Sequence, residues 1–268
     1  MGFMRYTSRY MTALLTGTLF VFGAIVASFI GVLVARLNTG QSFLTGRSHC
    51  DACNSLLSPF SLVPILSHVA SRGNAHCCGA RLSLVAPLTE ILLGTLFVLA
   101  YLTLGLSVAL PFMLISFSVL LALVLYDLAH QILPFSLLGV FVVVATLTGF
   151  LISSTAADFL QTLFMASLIA LSLAAIHFFS RGRAMGLADA PLSFGLSILV
   201  GPVAFTGFVF SFWIGAVIGI VLLLKRPKGS RMGVEVPFAP FLVAGFLLAY
   251  FTQWNLFIFI VASVPDLL

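Results

Sequence analysis

The sequence predicts an all-α, polytopic membrane protein with about eight transmembrane helices and a cytoplasmic loop subdomain that holds all the cysteines. Three observations predict it. Of the 268 residues, 61% are hydrophobic and only 7% charged, where soluble domains average about 25% charged. No soluble core could hide that much apolar surface. Apolar stretches close to the ~20 residues needed to cross a hydrocarbon core recur along the chain. The basic residues fall in the short gaps between those stretches, where membrane topology places them.

The elements follow in order. The first apolar run, 12–35, comes after Arg5 and Arg9 and outlasts the 7–15 residues typical of a signal core, so it reads as a retained first helix. Residues 36–83 are the longest polar stretch and are expected to form the loop subdomain. Residues 84–262 are expected to form the membrane core, with spans at 84–103, 108–126, 135–152, 159–179, 189–204, 206–224 and 237–261. Gly201-Pro202 divides an apolar stretch too long for one helix. The spans must be helical, because lipid cannot satisfy free backbone groups. The two-residue alternation of a membrane barrel is absent, and no internal repeat stands out.

This division places Arg36, Arg47, Arg72, Arg81, Arg181, Arg183, Lys225, Arg226, Lys228 and Arg231 on one side. The positive-inside rule makes that side cytoplasmic and both termini extracytoplasmic, with Arg5 and Arg9 as exceptions. Topology thus accounts for the net charge of +5. No nucleic-acid partner is expected, since the basic residues form no patch beside aromatics.

Of the seven acidic residues, Asp51, Asp158, Glu235 and Asp266 fall in expected loops or near an end. An ionisable group at the membrane is a functional candidate by default. Asp127 closes the third expected span and Asp189 opens the sixth, which puts both near the cytoplasmic boundary. Two carboxyl groups that face each other cannot both ionise easily, so one keeps a proton. Such a pair can activate water and protonate a leaving amine. The plainer readings are a helix N-cap for Asp189 and interfacial solvation for Asp127. Glu90, inside the second span, either pairs with a loop arginine or serves the site. Gly186 and Ala188, with Gly182, keep the backbone before Asp189 slim enough for a peptide strand to approach.

Cys50 and Cys53, with Cys77 and Cys78 further on, have the look of a structural zinc knuckle. A metal would let a short polar loop fold between two helices. Adjacent cysteines are an awkward pair for one tetrahedral ion, and His49 or His76 offers a substitute ligand. Free thiols or a disulfide are the alternatives; the cytoplasm disfavours the disulfide.

Taken together, these residues resemble the bacterial type IV prepilin peptidases, which are intramembrane aspartic peptidases. Arg47 to Cys53 resembles the family's first cysteine pair, and Val63-Pro64-Ile65-Leu66-Ser67 the middle of its loop. Cys78-Gly79-Ala80, Pro87 and Glu90 resemble its entry to the second helix. Tyr126-Asp127-Leu128 resembles its first catalytic aspartate, Gly186-Leu187-Ala188-Asp189 its Gly-x-Gly-Asp motif, and Pro237-Phe238-Ala239-Pro240 its last helix. The resemblance implies cleavage of leader peptides from prepilins or pseudopilins at the cytoplasmic membrane, with Asp127 and Asp189 catalytic. It also implies N-methylation of the new terminus from S-adenosylmethionine. The chain departs from the pattern where Ala75 stands in place of the third cysteine, with Cys77 shifted by two, and where Ala188 replaces the second glycine.

Two other classes remain in view. A proton-coupled transporter would use the aspartates as relay groups, and predicts mid-membrane carboxylates and internal repeats. A non-catalytic membrane scaffold carrying a metal knuckle predicts that the aspartates are dispensable.

Overall fold

The computed structural model describes residues 2–37, 49–50, 52–56, 58, 60, 63–183, 185–224 and 237–255, with side chains described from residue 11 onward and not at 223. The side chains of Arg5 and Arg9 are not described, and the expectations for Arg47, Asp51, the basic cluster at 225–231, Glu235 and Asp266 lie outside the described residues.

Among the described residues the regular structure is helical: α1 (Gly2–Arg36), α2 (Leu66–Ala70), α3 (Val85–Leu104), α4 (Ala109–His130), α5 (Phe135–Ile152), α6 (Ala156–Ser180), α7 (Asp189–Val200), α8 (Ala204–Leu224) and α9 (Ala239–Thr252). Six segments are long and apolar enough to cross a membrane: α1 from Met11, α3, α4, α5, α6 and the run Asp189–Leu222 through α7 and α8. Helix α9 is apolar but shorter. The protein is a polytopic all-α membrane protein. The expected break after span six exists as a 3-10 turn over Gly201–Val203, entered through Gly201 at φ 67°, a conformation open to glycine at no steric cost. At ~18 Å (12 residues at 1.5 Å each), α7 is shorter than a ~30 Å hydrocarbon core.

The chain packs as two units, Met1–Leu125 and Tyr126–Leu268. In the first, α1 lies along α3. The two helices approach at glycines: a Cβ on Gly23 would sit 2.8 Å from Gly94 Cα. Small residues give membrane helices this close van der Waals fit, which replaces the absent hydrophobic drive between helices. In the second unit α7 is the central element, packed against α5, α6 and α9, and α8 lies along α9. Every described residue of α7 except Pro191 and Phe194 is buried, so Asp189 sits at the mouth of an enclosed helix.

Helix α6 begins three residues earlier than the expected span. Asp158 is therefore in its first turn, where it closes a capping box with Thr155. The expectation of a loop charge there is corrected: the local cap extends the helix beyond the apolar run.

Candidate active site

Asp127 lies in the last turn of α4 and Asp189 is the first residue of α7. Both belong to the second unit, and each is 6% exposed. The carboxylate of Asp127 accepts the N–H of Ala239, the first residue of α9. That amide has no partner within its own helix, and the positive end of α9 favours an anion there. Asp127 Oδ2 is buried with no hydrogen-bond partner among the described residues. Asp189 Oδ2 accepts the N–H of Gly186 at 3.2 Å. Asp127 and His177 are both electrostatic neighbours of Asp189. Two buried carboxyl groups from separate helix ends therefore lie within reach of each other's charge.

The N-cap position of α7 belongs to Ala188, which makes no side-chain cap. Asp189 instead reaches back to the chain that leads into its helix. Ala188 has φ −68° and ψ −18°, a right-handed conformation that costs an L-residue nothing. Alanine therefore fits without strain where the resemblance expects glycine. A Cβ on Gly186 would meet Asp189 Oδ2 at 3.5 Å, an ordinary contact.

Glu90 belongs to the first unit, buried in α3. Its Oε2 accepts the N–H of Ile65 at 2.6 Å. Ile65 has φ 60°, which is uncommon for a β-branched residue. Glu90 thus ties a strained turn before α2 to a membrane helix.

The four cysteines form two matching turns 25 positions apart. An isolated antiparallel bridge closes each, His49 with Leu56 and Asn74 with Arg81. In the first, Asn54 N–H donates to Cys50 O at 2.8 Å and Cys50 N–H to Ser55 O at 2.9 Å. In the second, Gly79 N–H donates to Ala75 O at 2.7 Å and Ala75 N–H to Ala80 O at 2.8 Å. Asn54 and Gly79 both have positive φ, 56° and 70°. Ala75 is thus the counterpart of Cys50, and Cys78 of Cys53. The sulfur that Ala75 lacks comes from Cys77: all four Sγ atoms lie within 4.8 Å of one another. The adjacent Cys77 and Cys78 thus both belong to a group of four thiols that could hold one ion without His49 or His76.

The sulfurs are separated by 3.8 Å (Cys50–Cys78), 3.3 Å (Cys53–Cys77) and 3.9 Å (Cys77–Cys78). A tetrahedron with Zn–S of about 2.3 Å has edges of about 3.8 Å, so the four thiols fit zinc. The Ser55 hydroxyl beside Cys53 Sγ at 3.0 Å lowers that thiol's pKa to about 6, while desolvation and the neighbouring thiols push Cys78 up to about 11.

Comparison with known proteins places the chain. Residues 21–104 match the family described as Bacterial Peptidase A24 N-terminal domain. A prepilin leader peptidase/N-methyltransferase of Bacillus subtilis (strain 168) is 30% identical over 233 residues, covering 87% of this chain and 92% of the relative. The chain belongs to the prepilin leader peptidase/N-methyltransferase family. A second member, from Myxococcus xanthus, is 37% identical over 128 residues, 48% of this chain and 38% of its own length. A third, from Legionella pneumophila, is 27% identical over 213 residues, 76% of this chain and 72% of its own. No solved structure matches significantly. For this prepilin leader peptidase relative, sequence reasoning missed His177. Its only signal is a lone histidine in the last turn of an apolar helix, twelve positions before Asp189.

Proposed function

We propose that this protein cleaves the leader from prepilin or pseudopilin precursors at the bacterial cytoplasmic membrane, with Asp127 and Asp189 as a two-carboxyl acid–base pair. One carboxylate takes a proton from water as that water attacks the scissile carbonyl. The other carboxyl gives a proton to the departing amine. The observation that carries this reading is two buried carboxyl groups at helix ends within reach of each other's charge, one with an oxygen that has no hydrogen-bond partner among the described residues. Carboxylates at helix ends rather than at mid-span favour a peptidase over a transporter. The family membership supplies the substrate class.

Cys50, Cys53, Cys77 and Cys78 would hold a structural zinc ion that fixes the loop subdomain. In the same unit a cavity of about 600 Å³ is walled by Phe60, Val63, Leu66, Asn74, Ala75 and Arg81, within the range of small-molecule sites. S-Adenosylmethionine would bind there and would supply an electrophilic methyl group for the new terminal amine.

The test is cleavage of a purified pseudopilin by wild type, Asp127→Asn and Asp189→Asn. Each substitution keeps shape and removes a titrating group, so each should slow cleavage by at least about 100-fold. Cleavage near the wild-type rate by both would end the two-aspartate reading.

A further inference from the structure

The Met185–Gly186 peptide lies between a side chain of the last turn of α6 and the first side chain of α7. His177 Nδ1 lies 2.8 Å from the Met185 carbonyl oxygen. A carbonyl oxygen only accepts, so Nδ1 carries the proton and donates. The other face of that same peptide is the Gly186 N–H, which donates to Asp189 Oδ2 at 3.2 Å. A bond to the carbonyl polarises the amide and strengthens the bond its N–H makes, because linked hydrogen bonds reinforce one another.

The ring is itself held in place. Gly182 N–H donates to the His177 carbonyl at 2.9 Å, with Arg181 and Gly182 both at positive φ, 54° and 75°. That turn ends α6 and folds the chain back beneath the imidazole. A Cβ on Gly182 would lie 3.3 Å from His177 Cε1, so the ring rests on a position without a side chain. Phe178 meets the ring edge-on, with centroids 5.5 Å apart. The charge pattern agrees with the helix dipoles: a basic group closes α6 and a carboxylate opens α7.

We propose that His177 is a positioning residue for Asp189, acting through the Met185–Gly186 peptide to fix the orientation of that carboxylate. The inference rests on the two-aspartate reading of the site. It assigns to a histidine a role that runs through another residue. It also explains how an aspartate with no side-chain cap beside it is held at a helix mouth.

The experiment measures pseudopilin cleavage by the full-length protein carrying His177→Ala, His177→Asn or His177→Gln, with unfolding temperature as a control. The Asn amide nitrogen falls near the place of Nδ1 and keeps the donor; the Gln nitrogen falls nearer Nε2 and does not. His177→Ala and His177→Gln should lower kcat by about 10- to 100-fold, as slight misplacement of a reacting group does, with KM within about twofold. His177→Asn should recover most of the rate. The proposal is overturned if His177→Ala cuts like wild type, or if folded His177→Asn is no faster than His177→Gln. Asp127→Asn and Asp189→Asn run alongside. If those two still cut, the two-aspartate reading fails; if they are dead while His177→Ala is fully active, only the present inference fails.

Discussion

Cys77 stands two positions from the place its turn reserves for a thiol. The backbone of the second knuckle copies the first bond for bond, and Ala75 is as buried as Cys50, both at 6% exposure. The side chain, not the backbone, has moved. Cys77→Ala should therefore reduce zinc bound to the purified protein, measured by elemental analysis. Adding Ala75→Cys to that variant should restore it, because the new sulfur enters at the symmetric position. Full zinc content in Cys77→Ala would contradict the four-thiol site. The repeat of these turns could not be seen in the residues, because only one cysteine position is shared between them. What repeats is a left-handed residue and two backbone hydrogen bonds, which Asn54 and Gly79 satisfy with different side chains. His177 was hidden for a related reason. A single histidine at a helix end has no pattern around it, and its meaning comes from a carbonyl eight residues on.

At the scale of elements, the sequence made the helices legible because each apolar run is continuous between polar gaps. The span expected at 135–152 coincides with α5. Ends were less legible, because local caps rather than hydropathy set them. Helix α4 continues to His130, past its apolar run, so Asp127 lies on a turn of helix and not after it. The tertiary role of Glu90 was illegible for a similar reason: its partner is a backbone amide, which any residue carries. Removing that acceptor leaves the Ile65 N–H unpaired and the left-handed turn unsupported, at a cost of about 1–3 kcal/mol. Glu90→Leu should accordingly speed amide exchange through α2 and the turn before it, while Glu90→Gln, which keeps an acceptor, should change it little. Equal exchange in wild type and Glu90→Leu would show that the bond to Ile65 carries no weight.

At the scale of the whole molecule, hydropathy and charge decided the class, and the structure adds what lies along the chain of contacts in the second unit. Helix α7 is held by neighbours on several sides, and its enclosed first turn carries Asp189. Helix α9 turns its first amide to Asp127. The sequence showed two aspartates and a Pro-Phe stretch far apart; only the fold puts Asp127 on the first amide of α9 and within electrostatic reach of Asp189. The central claim is that the two carboxyl groups act as one unit, and groups acting as a unit are not additive when removed. The most direct measurement is single-turnover cleavage of a purified pseudopilin by Asp127→Asn, Asp189→Asn and the double variant. The account predicts that the double variant is about as slow as the slower single variant. Losses that multiply, or one single variant that cuts at the wild-type rate, would contradict it.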